Sequence, residues 1–470
     1  MGGAGHIRHV RTTKDEGRED RGGNEMADLL IVNGTVVTAE GRRRADVLCR
    51  NGQIAALGTP GEFAAMEPGR PEVLDAGGCY VLPGGVDVHV HLQMPVGEFT
   101  STDDFYSGTV AAACGGTTTI IDFATQERGQ GIAEAVALRR AEADGAVAVD
   151  YGLHLALTDA TEGTLQALPA LVAQGYASFK LYTVYPALFL EDGEILRLLV
   201  AARKTGALPM VHCESRAIVE HCTQALLSAG KTAPRYHPQA RPIVAEAEAV
   251  ERVLSLAEVA GAPLYVAHLS CARALEAVRR ARARGQAAYA ETCPHYLLLT
   301  EEEYARPGFE GAKYVLTPPL RTPADCAALW EALASGEVQA VSTDHCPWNY
   351  VGQKERGRDD FSRIPGGAPG IETRLPLLWS EGVGKGRLSP ERFVAITAAE
   401  PARLFGLYPR KGTIAVGADA DLVVWDPARE VTLRAATLHQ RVDYCPYEGW
   451  KVQGYPRDVL LRGRCLLYTS

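Results

Sequence analysis

From Asp28 onward the apolar residues come in short, β-branched runs separated by turn-forming residues. Leu29-Leu30-Ile31-Val32, then Asn33-Gly34, then Thr35-Val36-Val37-Thr38 predicts a β-hairpin closed by a type I′ turn. Asp46-Val47-Leu48-Cys49, Gln53-Ile54-Ala55-Ala56-Leu57 and Cys79-Tyr80-Val81-Leu82 predict further short strands. A matching texture returns near the other end, in Gly412-Thr413-Ile414, Ala420–Trp425 and Asp458–Leu461. Residues 26–82 and 406–470 therefore predict the two parts of one small β-sandwich, interrupted by the middle of the chain.

That middle, residues 83–405, alternates. Strands are predicted at Val86–His91, Thr117–Phe123, Asp150–Leu157, Ser178–Tyr182, Pro209–Cys213, Leu264–Leu269, Ala287–Thr292 and Ala340–Thr343. Helical patterns lie between them: Thr102–Cys114, Ile132–Asp144, Leu165–Ala173, Gly193–Lys204, Ala245–Ala260 and Ala272–Arg284, most of them closed by glycine. Strands alternating with helices in this number predict an α/β fold, a parallel (β/α)8 barrel.

Composition narrows the class. The net charge of −9 excludes nucleic acid as the main partner, which would show as a basic surface. No apolar run reaches membrane-spanning length. The eleven cysteines are scattered with no CxxC pair, as expected of reduced thiols in a cytoplasmic protein. Residues 1–25 are rich in charge and glycine, with no apolar stretch for a secretory signal. They are expected to form a disordered extension, with Met26 as the natural start.

Candidate chemistry follows from where such barrels place functional groups, at the C-terminal ends of their strands. His89 and His91 sit two apart in the first strand, so both face one side. Lys180 lies in the fourth, His212 ends the fifth, His268 ends the sixth and Asp344 follows the eighth. Taken singly, each histidine reads as a packed core residue and Asp344 as a helix cap. Together they place six metal-capable groups on one rim. Lys180 stands apart, because a lysine in an apolar strand is costly unless paired or neutralised.

At these residues the chain resembles the cyclic amidohydrolases of the amidohydrolase superfamily, in particular the dihydropyrimidinases and D-hydantoinases. The resemblance runs from about Asp28 to Arg462. It is carried by Pro83-Gly84-Gly85-Val86-Asp87-Val88-His89-Val90-His91-Leu92-Gln93-Met94-Pro95, by Gly115–Phe123, by Lys180-Leu181-Tyr182-Thr183-Val184-Tyr185-Pro186 and by Leu316-Thr317-Pro318-Pro319-Leu320-Arg321. It implies a zinc-dependent hydrolase of pyrimidine-catabolism type that opens dihydropyrimidines or 5-substituted hydantoins to N-carbamoyl amino acids. It implies two divalent metal ions, zinc, bridged by a hydroxide and by a CO2-derived carbamate on Lys180. His89, His91 and Asp344 would hold one ion, and His212 and His268 the other. Asp344 would also move the proton, Tyr185 would donate to the oxyanion, and Thr317 and Gly366 would bind substrate. The expected partner is a small neutral cyclic amide, and the expected assembly a homo-oligomer, tetramer or dimer.

Departures from the pattern refine this. Dihydroorotases resemble HxHxR, with the arginine holding a carboxylate, whereas Gln93 stands here. Allantoinases tend to read Asn-Glu-Pro-Gly where this chain has Gln93-Met94-Pro95-Val96-Gly97. Both differences favour a neutral ring. Thr317 replaces a common serine and Gly366 a common asparagine. Met94, Val96, Phe99, Tyr182 and Phe189 are candidates for an apolar wall or for plain packing. His154, His221, His237, His295 and His439 are assigned no ligand role, and His345 only its place beside Asp344. The end, Cys465–Ser470, reads as truncated or foreign, leaving the last hairpin incomplete. Two alternatives stay open: an allantoinase, and a non-catalytic dihydropyrimidinase-like scaffold.

Overall fold

The structure is a computed structural model that describes residues 28–63 and 71–468. The extension expected over residues 1–25 lies outside them. Two sheets come from the chain ends. One has the order β5-β4-β1-β6, built from Leu29–Val32 (β1), Asp46–Arg50 (β4), Gln53–Gly58 (β5) and Glu72–Asp75 (β6). The other joins Thr35–Thr38 (β2), Gly41–Arg44 (β3) and Tyr80–Pro83 (β7) to Leu422–Thr432 (β18), Lys451–Leu461 (β19) and Arg464–Tyr468 (β20). Leu29, Ile31, Val47 and Val81 from one chain end share a core with Ile414, Leu422, Val424 and Leu460 from the other. The last hairpin is formed: β19 and β20 pair through Tyr468.

The hairpin expected at Asn33-Gly34 does not exist. β1 pairs with β4 and β6, and β2 with β3 and β7, so the dipeptide carries the chain from one sheet to the other. Asn33 takes φ +64, but Gly34 is not in the left-handed region that a type I′ turn needs. Gly34 is required for space instead, because a Cβ there would lie 2.6 Å from Val81 Cγ2. Local chemistry marked a turn; long-range pairing decided what the turn connects.

β7 runs through Gly84 directly into Gly85–Asp87 (β8), the first strand of the barrel. A Cβ on Gly84 would sit 2.0 Å from Thr118 Oγ1, so only glycine lets the connection pass. A short ribbon, Pro95–Val96 (β9) and Phe99–Thr100 (β10), follows at the rim. The barrel continues with Thr117–Thr125 (β11), Asp150–Ala156 (β12), Ser178–Tyr182 (β13), Leu208–His212 (β14), Leu264–Val266 (β15), Ala288–Thr292 (β16) and Ala340–Val341 (β17). These strands are parallel and lie in chain order from β8 to β17. Phe105–Cys114 (α1) starts on a capping box between Asp104 and Ser107. Among the helices packed outside, Arg216–Ser228 and Pro323–Ser335 were not anticipated. The first buries only Val219 fully, and its Leu226 and Leu227 pack half-buried against the core.

Between β17 and β8 the barrel is closed by side chains more than by a ladder. The backbone contributes a bridge from Val90 to His345 and a bond from His91 N–H to the His345 carbonyl of 2.8 Å. Arg374, fully buried, donates to the carbonyls of Val86 (3.0 Å) and Val341 (2.9 Å) and to Thr117 Oγ1 (2.9 Å). Asp87 accepts from Thr343 N–H (3.1 Å) and Thr343 Oγ1–H (2.7 Å).

A second buried ionic knot ties barrel to sandwich. Lys411 donates to Asp150, at the start of β12, and to Asp421, and lies 2.9 Å from Asp419. Arg462 adds a bond of 2.6 Å to Asp150. Removing Lys411 leaves three buried carboxylates whose remaining cations among the described residues are Arg462 on Asp150 and Arg410 at 3.7 Å from Asp419. Lys411→Met should therefore lower the unfolding free energy by about 3–5 kcal/mol. Guanidinium melts of variant and parent check this, and a loss below about 1 kcal/mol would show that the carboxylates relax or protonate at little cost.

Candidate active site

The site stands at the C-terminal rim of the barrel, where the sequence placed it, although the first strand ends earlier than expected. β8 stops at Asp87, so His89 and His91 lie past the regular ladder. The reason is local. Asp87 Oδ1 takes the His89 N–H at 3.3 Å and Asp122 Oδ2 takes the Leu92 N–H at 2.8 Å, so carboxylates replace the neighbouring strand as acceptors. The two rings still converge, 5.2 Å apart and edge to face, and His91 stacks on Phe123 at 4.7 Å.

Four of the expected residues meet closely. Asp344 Oδ1 lies 3.0 Å from His91 Nε2 and 3.3 Å from His89 Nε2. Lys180 Nζ is 3.2 Å from His89 Nε2 and has no hydrogen bond to a carboxylate among the described residues. The His212 and His268 rings stand 4.5 Å apart, and His268 is 5.3 Å from His89. Tyr185 lies against His212, ring centres 4.9 Å apart, and its hydroxyl bonds Thr317 Oγ1. Gly366 faces Thr317, since a Cβ built on it would be 3.7 Å from Thr317 Cγ2 and Oγ1. The Gly366 carbonyl already accepts from Trp348 Nε1–H at 2.9 Å. The residues assigned metal, catalytic and substrate roles thus fall in one cluster.

Burial sets the charge states. It drives the His89 and His268 imidazoles well below their ordinary range and also lowers His212, so all three present lone pairs. Burial likewise lowers the Lys180 ammonium, against the pull of Glu291 and Asp344. For Asp344 burial acts upward, but the bond from His91 and nearby Lys180 outweigh it and hold the carboxyl low. Tyr185 is raised by burial, so its hydroxyl keeps its proton.

Sequence reasoning missed the carboxylates behind the histidines. Glu291, at the end of β16, bonds His89 Nδ1 and accepts from Tyr265 OH (3.0 Å), His268 N–H (3.2 Å) and Ser342 Oγ–H. Glu214 bonds His212 Nε2 at 2.8 Å and pairs with Arg241. Burial would raise the Glu214 carboxyl, yet Arg241 and His212 bring it down to about 2. A carboxylate on the outer ring nitrogen is how metal-ligating histidines are oriented. The signal was present: Glu291 and Asp87 are acids inside apolar strands, as anomalous there as Lys180 is in β13.

Backbone strain is concentrated here too. Tyr185 (φ +71), His268 (φ +35), Asp344 (φ +48) and Gln93 (φ +47) are non-glycine residues in the left-handed region. Such conformations persist where surrounding bonds over-determine them, as the His91–His345 bond and the Asp87–Thr343 bonds do beside Asp344.

The donor set fits divalent metal. His89, His91 and Asp344 offer ligand atoms that all lie within 4.8 Å of one another. His268 Nδ1 is buried with no hydrogen-bond partner. Two other groups among the described residues have similar spacing. Asp150, Asp419 and Asp421 surround Lys411, which takes the place of a cation. In the set Cys114, Glu372 and His439, burial pushes the Cys114 thiol up to about 12, and Glu372 already bonds His439. Two other buried histidines behave as packing groups: His154 bonds Ser178 and the Val88 carbonyl, and His237 the Leu316 carbonyl. None of the described cysteines forms a disulfide, and no described helix is long and apolar enough to cross a membrane.

Comparison with known proteins agrees with this geometry. Residues 80–466 match the amidohydrolase family. The chain is 47% identical to a D-hydantoinase of Ralstonia pickettii over 441 residues, 94% of this chain and 95% of that one. Among solved structures it is similar to the D-hydantoinase of Bacillus sp. AR9, with a TM-score of 0.91 and 44% identity over 94% of this chain and 95% of the other. The dihydropyrimidinase of Brevibacillus agri gives the same TM-score of 0.91 and 44% identity, with the same shares of 94% and 95%. With its barrel, its rim of histidines and these likenesses over nearly its whole length, the chain belongs to the amidohydrolase family.

Proposed function

We propose that the protein is a cyclic amide hydrolase of hydantoinase and dihydropyrimidinase type, opening a dihydropyrimidine or 5-substituted hydantoin to its N-carbamoyl amino acid. We assign it two divalent ions, zinc, with His89, His91 and Asp344 on one and His212 and His268 on the other, and a carbamate on Lys180 between them. The observation that carries this is Lys180 itself. A fully buried amine, 3.2 Å from His89 Nε2 and without a bonded carboxylate, has no stable role as an ammonium. As a neutral amine it can add CO2, and the resulting anion is compensated only if cations share the site.

Bound ions would supply Lewis-acid polarisation of a carbonyl and lower the pKa of a water near neutral pH. The protein's own groups do the rest. Glu291 and Glu214 hold the outer nitrogens of His89 and His212, which fixes the ring orientation. Asp344, kept ionised, accepts the proton of the attacking water and returns it to the departing ring nitrogen. Thr317 can donate its hydroxyl hydrogen to Tyr185 oxygen, which leaves the Tyr185 proton for the oxygen that gains charge. The N–H and carbonyl of Thr317 have no protein partner among the described residues. An open peptide of this kind complements the –CO–NH– edge of a neutral ring, in line with the absence of an arginine at Gln93.

Turnover of hydantoins and dihydrouracil, with allantoin as comparison, tests the reading; activity on allantoin alone would reverse it. Metal analysis should find about two divalent ions per chain. Lys180→Ala should lose activity by orders of magnitude, and near-normal turnover in that variant would make Lys180 merely structural. Tyr185→Phe should retain its metal and lose roughly 10²–10³-fold in kcat, the usual weight of one oxyanion donor. A change in KM alone would reassign Tyr185 to ground-state binding. Asp344→Asn should be more damaging and should lose the rising limb of the pH–rate profile, while wild-type kcat in that variant would refute the proton transfer.

A further inference from the structure

Lys354 is buried as Lys180 and Lys411 are, and nothing in the chemistry above uses it. It opens a short turn, Lys354–Gly357, and no carboxylate bonds it among the described residues. Its Nζ donates to the Val315 carbonyl at 2.9 Å and to the Pro365 carbonyl at 3.0 Å. These carbonyls belong to two segments remote in sequence, one leading into Thr317 and the other into Gly366. Three further bonds act on the same segments. Gly367 N–H reaches the Val315 carbonyl at 3.1 Å, Trp348 Nε1–H the Gly366 carbonyl at 2.9 Å, and His237 Nε2–H the Leu316 carbonyl at 2.8 Å. The Val315, Leu316, Pro365 and Gly366 carbonyls are therefore occupied, while the Thr317 peptide and the Gly366 N–H have no hydrogen-bond partner among the described residues.

We propose that Lys354 is a positioning residue for substrate: its amine sets the spacing of the Thr317 and Gly366 segments, and hence how tightly the ring's unreactive amide is seated, without touching the reacting carbonyl. This rests on the assignment of the site to cyclic amides. An apolar side chain would fill the same space without the cost of burying an amine, but it could not bond two carbonyls at once. Burial lowers the Lys354 ammonium to about 7, so near neutrality the amine can hold both carbonyls with little stranded charge. The titratable groups facing it do not supply a counter-charge: burial keeps the His237 ring uncharged, down to about 3, and the Cys346 thiol protonated.

The test is steady-state kinetics on a hydantoin and on dihydrouracil, using metal-loaded wild type, Lys354→Met and Lys354→Gln. Methionine matches the reach and removes the donors; glutamine keeps two N–H donors on a shorter arm. Lys354→Met should raise KM about tenfold or more with kcat within about threefold of wild type and bound metal unchanged, and Lys354→Gln should fall between. An unchanged KM in both variants overturns the proposal, as does a kcat loss that tracks loss of metal. Should Lys354→Met fail to fold, Lys354→Gln decides: a raised KM with kcat kept supports the role, and an unchanged KM refutes it. Wild-type inactivity on every cyclic amide would instead bring down the functional assignment, and this inference with it.

Discussion

The buried Asp87–Arg374 pair is what the rest of the structure depends on. Neither side chain is exposed, and they stand 3.8 Å apart at the seam between the first and last barrel strands. A charged pair in a core offsets its desolvation cost through its mutual attraction and through further hydrogen bonds. Here those bonds replace the missing ladder: Arg374 reaches a carbonyl on each side of the seam and Asp87 takes two bonds from Thr343, while Arg374 Nε–H faces Asp87 without a hydrogen bond. His89 lies two residues after Asp87, and Asp344 directly follows Thr343. The pair that closes the barrel therefore sets the distance between the two halves of the site.

Above the seam the same physics is turned to chemistry. Desolvation keeps His89, His212 and His268 uncharged even below neutral pH, the state in which an imidazole can ligate a cation. Glu291 is tolerated in the interior by its several bonded partners and Glu214 by its pairing with Arg241, and each aims one imidazole. Tyr185, His268 and Asp344 are held in left-handed backbone, a conformation that persists where surrounding structure over-determines it. Rigidity at the rim follows from these bonds.

Much of this was legible in the sequence, and the reason is specific. The barrel strands are apolar runs, so although each histidine alone reads as packing and Asp344 alone as a cap, the arrival of His89, His91, Lys180, His212, His268 and Asp344 on one rim had no such explanation, and Lys180 had none even alone. What was not legible depends on partners remote in the chain. Asn33-Gly34 carries every local mark of a hairpin, yet its flanking strands find better partners in separate sheets. The early end of β8 depends on Asp122, and the roles of Glu291 and Glu214 on which ring each meets. Lys354 reads as one more surface charge in a polar stretch, Gln353 to Asp360, until the fold encloses it.

The reach of Arg374 has a consequence for how the molecule comes into being. Its guanidinium meets a carbonyl 288 positions earlier, and its emergence from the ribosome follows that of every proposed metal ligand. Contacts of such sequence separation are late and slow to form. Until that arginine is synthesised, the histidines near the start of the barrel and the aspartate near its end have no common frame. A half-made chain lacks the bonds that bring these residues together. Any cation capture by the proposed site would therefore wait until the polypeptide is nearly complete, with the arginine as the last rivet of the vessel it closes.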